Sequence, residues 1–402
     1  MTPTVIRSAV SSENLVRIEC SHLQPLIDLF RKAIAPLCAY IVKICVFREA
    51  ALQGWFSQKI IMPLVASIGN GWMRCKGLTA PFVIMKPDRL AKTRQFLTQI
   101  GAVTQSIELG NGENIPLTTY RANSFRLWLA SPAFAQWIEQ LGGRLDVQRQ
   151  IITAKTPDKW NDLQSQLHSY GFPLIEDRDE FFIPRVLSGA NLKWILRCNG
   201  FGLSQETDKK RIFKHLLYGF NYVIFEWSKQ SEIQGFFQDA ECVYQHLRSS
   251  GIESTNIVVQ GYCGTSYVAA RLKELHHSEG IKTVLIGPHP SLGSVIGKNG
   301  GFVSKLGHIG LAQIEHRDEG FHFDNLLRFE SLPHSEAATC LIVDSRNEIA
   351  PENTIAQLTS VLEPIGPLTT ILPGNGVSKE QFGFNRQFLI AKVWDRYCQF
   401  IL

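Results

Sequence analysis

Six short apolar runs after residue 190 constrain the fold more than any other feature of this 402-residue chain. They are LKWILRC (192–198), YVIFEW (222–227), NIVVQGY (256–262), KTVLIG (282–287), TCLIVD (339–344) and LTTILPG (368–374). Stretches of helical character separate them. A strand that is apolar on both faces must be covered on both faces, and helices that connect parallel strands provide that cover. The runs therefore predict an α/β fold with a doubly wound, mostly parallel sheet.

The first hundred residues show a different sequence pattern. Their apolar residues recur at helical spacing, and the stretch 86–101 ends in a glycine, as helices commonly do. From residue 104 onward, two short runs flank the sequence GNG, which is a hairpin signal. We therefore expect a mainly helical extension over residues 1–104 and an α/β domain over residues 105–402.

The stretch IVVQGYCGTS at 257–266 joins one apolar run to a helical stretch. A strand, a tight turn and a helix in this order form a nucleophile elbow, whose central residue points out of the sheet. Gly261 and Gly264 let the chain pass close to itself on both sides of Cys263. The start of a helix also places backbone amides beside the thiol, and these favour a thiolate. Cys263 is therefore the candidate nucleophile.

At this motif the sequence resembles the α/β-hydrolase superfamily. The resemblance covers about residues 190–402: WILRCNGFG is similar to the strand and loop that lend an oxyanion-hole amide, and the elbow follows in the expected order. It implies an ester or thioester substrate and an oxyanion hole built from the amides of Gly264 and Phe201. More loosely, the long amino-terminal extension and the Asn-Gly pair after the first run resemble the CHLPS family of intracellular bacteria, which includes secreted effectors.

The residues that usually complete the active site depart from the superfamily pattern. Asn199 stands where a histidine usually precedes Gly200. DSRNEIAP aligns with the turn that carries the usual acid, and it puts Asn347 at that place, with Glu348 next to it. LPGNGVS aligns with the turn that carries the usual histidine base, and it puts Val377 there. The usual acid and the usual base are therefore both replaced.

The missing base leaves two functions open. No histidine follows His334, so a small shift of the alignment does not supply one. A thiol has a pKa of about 8.5, so a few per cent is thiolate near neutral pH even without a base. His289, which follows the run KTVLIG, and Glu348 are candidate assisting groups, although an ordinary polar loop residue is the simpler interpretation of His289. The chain is either a Cys263-dependent ester or thioester hydrolase or acyltransferase, or a catalytically inactive hydrolase-fold protein that binds a protein partner or acts as an effector.

A cap segment is expected around residues 290–335, where the superfamily often inserts one between two strands. It contains His308, His316 and His322, spaced 8 and 6 residues apart. That spacing puts no two of them on one helix face, so we expect no metal site there. We expect no cofactor either.

The charge distribution and the cysteine pattern limit which partners and which cellular compartment we expect. The formal net charge is +5, without a block of five or six basic residues, so nucleic acid is not an expected partner. Nine cysteines without CxxC spacing fit reduced thiols better than a disulfide framework or a zinc site. No cleavable secretory signal is visible at the amino terminus, so we expect a cytoplasmic protein. The looser family resemblance adds secretion into a host cell without such a signal.

Residues 33–73 are unusually apolar and carry interleaved basic residues and tryptophans. Helices of this kind can lie on a membrane surface, with their cations meeting anionic lipid. They can also cover the α/β domain as a lid. Pro36 and Pro63 interrupt the apolar runs, which favours the lid.

Overall fold

The structure is a computed structural model that describes most of residues 87–290 and shorter stretches on either side. The described residues are 5–6, 15–18, 83–85, 87–110, 112–170, 172, 174–175, 179–198, 208–228, 233–290, 325–330, 332–335, 337–343, 354–371 and 391–402. Residues 33–73 therefore lie outside the described residues, and the choice between a membrane contact and a lid stays a prediction.

Strands and helices alternate after residue 190, as the apolar runs predict. The described strands are β1 (Val5–Ile6), β2 (Leu15–Ile18), β3 (Val83–Met85), β4 (Ala102–Glu108), β5 (Asn114–Tyr120), β6 (Gly143–Asp146), β7 (Ile151–Ala154), β8 (Leu174–Ile175), β9 (Glu180–Phe182), β10 (Trp194–Cys198), β11 (Asn221–Phe225), β12 (Ile257–Tyr262), β13 (Lys282–Ile286), β14 (Thr339–Ile342) and β15 (Leu368–Ile371). The described α-helices are α1 (Pro87–Gln99), α2 (Ala122–Leu129), α3 (Pro132–Gln140), α4 (Trp160–Tyr170), α5 (Lys209–Leu217), α6 (Ile233–Ser249), α7 (Ser266–Leu275), α8 (Asn325–Glu330), α9 (Thr354–Leu362) and α10 (Ala391–Ile401).

Eight strands form the central sheet, in the spatial order β15-β14-β13-β12-β10-β11-β5-β4. All six apolar runs are strands, β10 to β15, and every neighbouring pair among them is parallel. The predicted hairpin is also confirmed: β4 and β5 pair antiparallel, and β5 joins the sheet antiparallel to β11. The mostly parallel, doubly wound α/β fold is therefore confirmed.

Alternate residues of each parallel strand enter two separate hydrophobic cores. Ile195 of β10 belongs to a core that includes apolar residues of α5 and α10, whereas Leu196 belongs to a core that includes residues of α6, α7 and α9. Because helices cover both faces, the strands can be apolar throughout, which is why their sequences read as continuous runs.

The strand order reverses at β10. The chain passes from β10 to β11 on one side and then crosses to β12 on the other side of β10. In open α/β sheets, ligands bind in the crevice that forms at such a reversal, outside the carboxyl ends of the strands. The carboxyl ends of β10 and β12 are therefore the expected position of a functional site.

Two smaller sheets were not expected from the sequence. Strands β6, β7, β9 and β8 form a four-stranded antiparallel sheet, and β1, β2 and β3 form a three-stranded one. These strands have only two to four residues each, too short for their periodicity to distinguish them from loops. The division at residue 104 falls within β4, which belongs to the central sheet. Most of residues 1–86 lie outside the described residues, so the mainly helical extension stays a prediction.

None of the described helices is long and apolar enough to cross a membrane.

Candidate active site

The backbone of Cys263 lies in the turn that the sequence predicts. Strand β12 ends at Tyr262, a short 3-10 turn covers Cys263–Thr265, and α7 begins at Ser266. Because β12 is parallel to β10 and β13, this turn lies at the carboxyl edge of the sheet, beside the reversal of strand order. The amide of Gly264 belongs to the same turn, one residue beyond the candidate nucleophile.

Glycine is required at position 261 because helix α7 passes directly over it. A Cβ atom added to Gly261 would lie 2.6 Å from the carbonyl oxygen of Thr265 and 2.7 Å from the Cα atom of Ser266. Both neighbours are backbone atoms, so they cannot move away as a flexible side chain would. The sharpness of the elbow therefore depends on this glycine.

The buried side chain of Thr265 ties the turn to the end of β10. Its hydroxyl oxygen accepts a hydrogen bond from the amide of Tyr262 at 3.0 Å. Its hydroxyl lies 2.8 Å from the carbonyl oxygen of Cys198, to which it can donate. Cys198 is the last residue of β10. The elbow is thus linked to the strand from which the predicted oxyanion loop departs.

His289 lies at the same edge of the sheet, three residues after the end of β13. The side-chain amide of Asn325 donates to the carbonyl oxygen of His289 at 2.7 Å and to the hydroxyl of Ser266 at 3.3 Å. Asn325 therefore joins the His289 loop to the first residue of α7. The structure brings His289 and the Cys263 turn to one edge, as the sequence predicts.

Burial keeps the His289 imidazole uncharged. The residue is 3% exposed, and burial lowers the pKa of its imidazole from 6.5 to about 4. A general base works best when its pKa lies near the working pH. A pKa of about 4 makes His289 a weak proton acceptor for a thiol.

A cluster of buried charges lies next to the elbow. Asp208, immediately before α5, forms an ion pair with Arg211 and lies 3.6 Å from the Nε atom of Arg197. The hydroxyl of Tyr222 donates to the same carboxylate at 2.7 Å. Burial alone would raise the pKa of Asp208, but the two guanidinium groups outweigh it and lower the pKa. Asp208 is therefore ionised at neutral pH.

A second layer of polar side chains completes this cluster. Arg197 donates to the Oε1 atom of Gln260 at 3.1 Å, and Gln260 donates to the hydroxyl of Tyr397 at 2.8 Å. The same hydroxyl lies 2.9 Å from the Nε2 atom of His215. Burial lowers the pKa of His215 to about 3, so its imidazole is neutral.

Both guanidinium groups of the cluster face the ring of Tyr262. The central carbon of Arg197 lies 5.4 Å from the ring centroid, and that of Arg211 lies 5.3 Å from it. These distances are within the range of a cation–π contact. Tyr262 is the residue directly before Cys263, so the positive charges lie close to the turn.

The remaining predicted site residues lie outside the described residues. These are Asn199, Phe201, Asn347, Glu348, Val377, His308, His316 and His322. Their assigned roles and the replacement of the usual base and acid stay predictions. Of the cap segment at 290–335, the structure describes Pro290 and two short stretches, 325–330 and 332–335, the first of which is α8.

The charge cluster and Asn325 were not predicted from the sequence. Arg197 offered a signal, since it is a charged residue within an apolar run that becomes a buried strand. Nothing in the local sequence marks Asp208 as its partner, because the two residues meet only in the folded chain.

No protein-family model matches the chain, and no curated protein sequence matches it. Solved structures with an overall likeness include an alpha-beta hydrolase from Vibrio vulnificus, with 19% identity, coverage of 67% of this chain and 94% of that chain, and a TM-score of 0.42. An esterase from Pyrococcus furiosus is 11% identical, and the match covers 81% of this chain and 96% of that chain with a TM-score of 0.47. A puromycin-hydrolyzing peptidase from Mycobacterium tuberculosis is 10% identical, and the match covers 75% of this chain and 38% of that chain with a TM-score of 0.43.

The class of fold follows from the chain's own geometry rather than from these likenesses. An eight-stranded, mostly parallel sheet with helices on both faces carries a strand, turn and helix at the point where the strand order reverses. This arrangement is the α/β-hydrolase type of fold.

Proposed function

We propose that the chain is an acyl hydrolase or acyltransferase that uses Cys263 as its nucleophile on an ester or thioester. The observation that carries the proposal is the elbow: the turn holding Cys263 is fixed by the close backbone contact at Gly261 and by the buried Thr265 hydroxyl. This construction supports a role in which the position of the nucleophile matters.

The proposed reaction has two steps, and each step forms one bond to the acyl carbon and breaks another. The Cys263 thiolate attacks that carbon, and the carbonyl electron pair moves to the oxygen, which the amides of Gly264 and Phe201 stabilise. Collapse of this intermediate breaks the bond to the leaving alkoxide or thiolate, which takes up a proton. Water, or an acceptor alcohol or amine, then attacks the enzyme thioester and releases the acyl product and the free thiol.

A second group is proposed to assist the thiol. His289, Asn347 and Glu348 are the proposed assisting residues. The low pKa of His289 limits it as a base toward a thiol whose ordinary pKa is about 8.5. A leaving thiolate needs less protonation than a leaving alkoxide, so a thioester is the favoured substrate class.

Turnover of thioesters and activated esters by the full chain tests this proposal. We expect measurable hydrolysis by the wild type and at least about a hundredfold loss in Cys263→Ala, because the nucleophile is absent. Cys242→Ala is the matched control. Its thiol is half-buried on α6, its pKa is raised by burial and by nearby carboxylates, and it should not contribute.

Equal turnover by the wild type and Cys263→Ala would reject the proposal. So would an equal loss in Cys263→Ala and Cys242→Ala, because it would indicate a general effect of removing a thiol.

A second function is a catalytically inactive hydrolase fold that binds a protein partner or acts as an effector, as the looser resemblance to the CHLPS family implies. The weak basicity of His289 favours it, together with the predicted substitutions at Asn347 and Val377. Changing Asn347→Asp and Val377→His together restores the usual residue types. Esterase activity that is absent in the wild type and present in this double variant would support an enzyme ancestor with a lost activity.

A further inference from the structure

We propose that strand β4, at one edge of the central sheet, is the surface on which two copies of this chain pair into a dimer. In this dimer the two β4 strands lie antiparallel across a two-fold axis and join the two central sheets into one. The inference goes beyond the proposed function and does not depend on it, because three strands separate β4 from β12, the strand that leads to the elbow.

The two edges of the central sheet are protected to different degrees. Strand β15 has four residues, and the guanidinium of Arg396 donates to the outward carbonyl oxygen of Thr370 at 3.0 Å. Strand β4 has seven residues, contains no proline and one charged residue, Glu108, and pairs with β5 but with no other described strand. Short length, charge, proline and covering groups are the usual protection against strand pairing. One edge is therefore blocked, whereas the other is open.

The outward main-chain groups of β4 are available to a second strand. The amide of Leu109 donates to the carbonyl oxygen of Glu113 at 2.7 Å, and in the β4–β5 register this directs the main-chain groups of the odd-numbered residues toward β5. The even-numbered residues direct their amides and carbonyls away from the sheet. Two of them, Thr104 and Ser106, are exposed. These groups form the kind of edge to which an extended strand adds by main-chain hydrogen bonds.

The sequence of β4 complements a second copy of itself in one antiparallel register. Gln105 lies on the two-fold axis opposite its own copy, Thr104 faces Ser106 of the second copy, and Val103 faces Ile107 of the second copy. Val103 is 59% exposed and Ile107 is 8% exposed, so the pairing covers an exposed apolar side chain. Cross-strand pairs of β-branched residues stabilise a sheet. This register uses all seven residues of the strand.

The charges of β4 are compatible with the same register. Glu108 faces Ala102 of the second copy, so the two glutamates stand at opposite ends of the seam, about 20 Å apart. At that distance their repulsion is largely screened at physiological salt. The Sγ atom of Cys242, a weak donor, lies 3.9 Å from the carbonyl oxygen of Glu108, so the end of β4 is less open than its middle. A single strand pair buries little surface, and we expect a dissociation constant of about 10 µM.

A disulfide across the axis tests the register. Directly opposed residues of a non-hydrogen-bonded pair have Cα atoms about 4.5 Å apart, which a disulfide can span. The full chain with Gln105→Cys is oxidised mildly, and intermolecular disulfides are assigned by peptide mass spectrometry. Thr104→Cys is the matched control, because its two copies lie about 9 Å apart. We expect at least about tenfold more intermolecular disulfide at position 105 than at position 104.

Ser106→Pro tests the main-chain hydrogen bonds of the seam. The Ser106 amide points away from β5, so proline at this position removes no bond within the β4–β5 pair. By symmetry the dimer loses two hydrogen bonds, and its dissociation constant should rise by at least about tenfold. Sedimentation velocity at increasing concentration of the full chain measures this constant. The matched control is Thr370→Pro at the opposite edge, which should leave the dissociation constant unchanged.

A wild-type chain that stays monomeric at about 100 µM would overturn the inference. So would an unchanged dissociation constant in Ser106→Pro, or a disulfide at position 104 that is as abundant as the one at position 105. If Ser106→Pro fails to fold, Ser106→Lys replaces it, because a lysine on each copy blocks the edge without changing the main chain.

Turnover that depends on Cys263 in a monomeric chain rejects this inference alone. A dimer in this register without turnover rejects the proposed function alone.

Discussion

The two ends of helix α7 lie near two clusters of charge that differ in their burial. At the carboxyl end, the Nδ1 atom of His276 lies 2.6 Å from Glu279 and its Nε2 atom lies 2.9 Å from Glu241. Arg248 lies 3.5 Å from the same Glu279 carboxylate. At the amino end, Arg197 and Arg211 both lie against the buried carboxylate of Asp208.

The two clusters therefore differ in how far water shares in the solvation of their charges. The glutamates of the His276 cluster are about one-third exposed, so water shares in their solvation. The side chains of Arg197 and Asp208 are at most 1% exposed, so water does not share in their solvation. Removing a partner from the buried cluster should therefore cost more stability than removing one from the half-exposed cluster.

The largest expected effect is the loss of the carboxylate that holds the two arginines. Asp208→Ala leaves two buried guanidinium groups without their anion, and we expect the free energy of unfolding to fall by about 4 kcal/mol. Glu241→Ala at the other end of α7 should cost about 1 kcal/mol, because His276 keeps Glu279 and water reaches the site. Urea unfolding of the two variants measures both values. Equal costs would contradict the comparison.

The next effect tests how tightly the amino end of α7 is fixed. Gly261→Ala places a Cβ atom 2.6 Å from the Thr265 carbonyl oxygen, and we expect a loss of about 3 kcal/mol. Gly110→Ala is the control, because nothing lies within 4 Å of its added Cβ atom. Thermal unfolding should show a clearly lower midpoint for Gly261→Ala and an almost unchanged midpoint for Gly110→Ala. A Gly261→Ala protein as stable as the wild type would refute the tight elbow.

A smaller effect concerns the hydroxyl that joins the elbow to β10. Thr265→Val leaves the buried amide of Tyr262 without its acceptor and the carbonyl of Cys198 without its donor, which should cost about 2 kcal/mol. Thr265→Ser keeps the hydroxyl and should lose clearly less. Chemical denaturation of the pair separates the hydrogen bonds from the lost methyl group. Identical losses would attribute the whole effect to packing.

The smallest expected effect is the pH dependence of the stability that the His276 cluster contributes at the carboxyl end of α7. Burial lowers the pKa of His276, but the carboxylates of Glu241 and Glu279 outweigh it, so the folded pKa lies above 6.5. Its stabilising contribution, about 1 kcal/mol, is therefore complete below pH 6.5 and is lost as pH rises through the folded pKa. The two glutamates have lowered pKa values, so their contribution is present above pH 4.5 and is lost as pH falls through the folded values.

His276→Gln measures this contribution. The stability difference between the wild type and the variant should be largest between pH 5 and pH 6.5 and should shrink toward pH 9. The control is His246→Gln, whose ring faces Gln105 rather than a carboxylate. A difference that grows with rising pH would show that His276 is not held as a cation.

The sheet was predictable from the sequence because the signal for each strand is local. A buried parallel strand requires a continuous apolar run, and each of the six runs contains that information within six or seven residues. The elbow was predictable for the same reason, since its strand, turn and helix are consecutive. Of the four-stranded sheet, the sequence indicates only the strand in EFFIPRVL (180–187), which contains β9, because two to four half-buried residues carry too little pattern to mark the others.

The charge cluster could not be predicted because its members come from separate elements. Arg197 lies on β10, Asp208 precedes α5, and Gln260 lies on β12. Only the strand pairing brings Arg197 beside Gln260, and only the folding of the segment before α5 onto the sheet brings Asp208 beside Arg197. The sequence shows an arginine near the end of an apolar run, which marks a position to inspect but does not identify its partner.

Capture of an acyl group on Cys263 tests the central claim most directly. The full chain is mixed with a short-chain thioester, quenched in acid within milliseconds to seconds, and analysed by intact-mass and peptide mass spectrometry. We expect a mass increase of one acyl group on the peptide that contains Cys263 in the wild type, and no such increase in Cys263→Ala. An adduct on other cysteines alone, or the same adduct in Cys263→Ala, would contradict it.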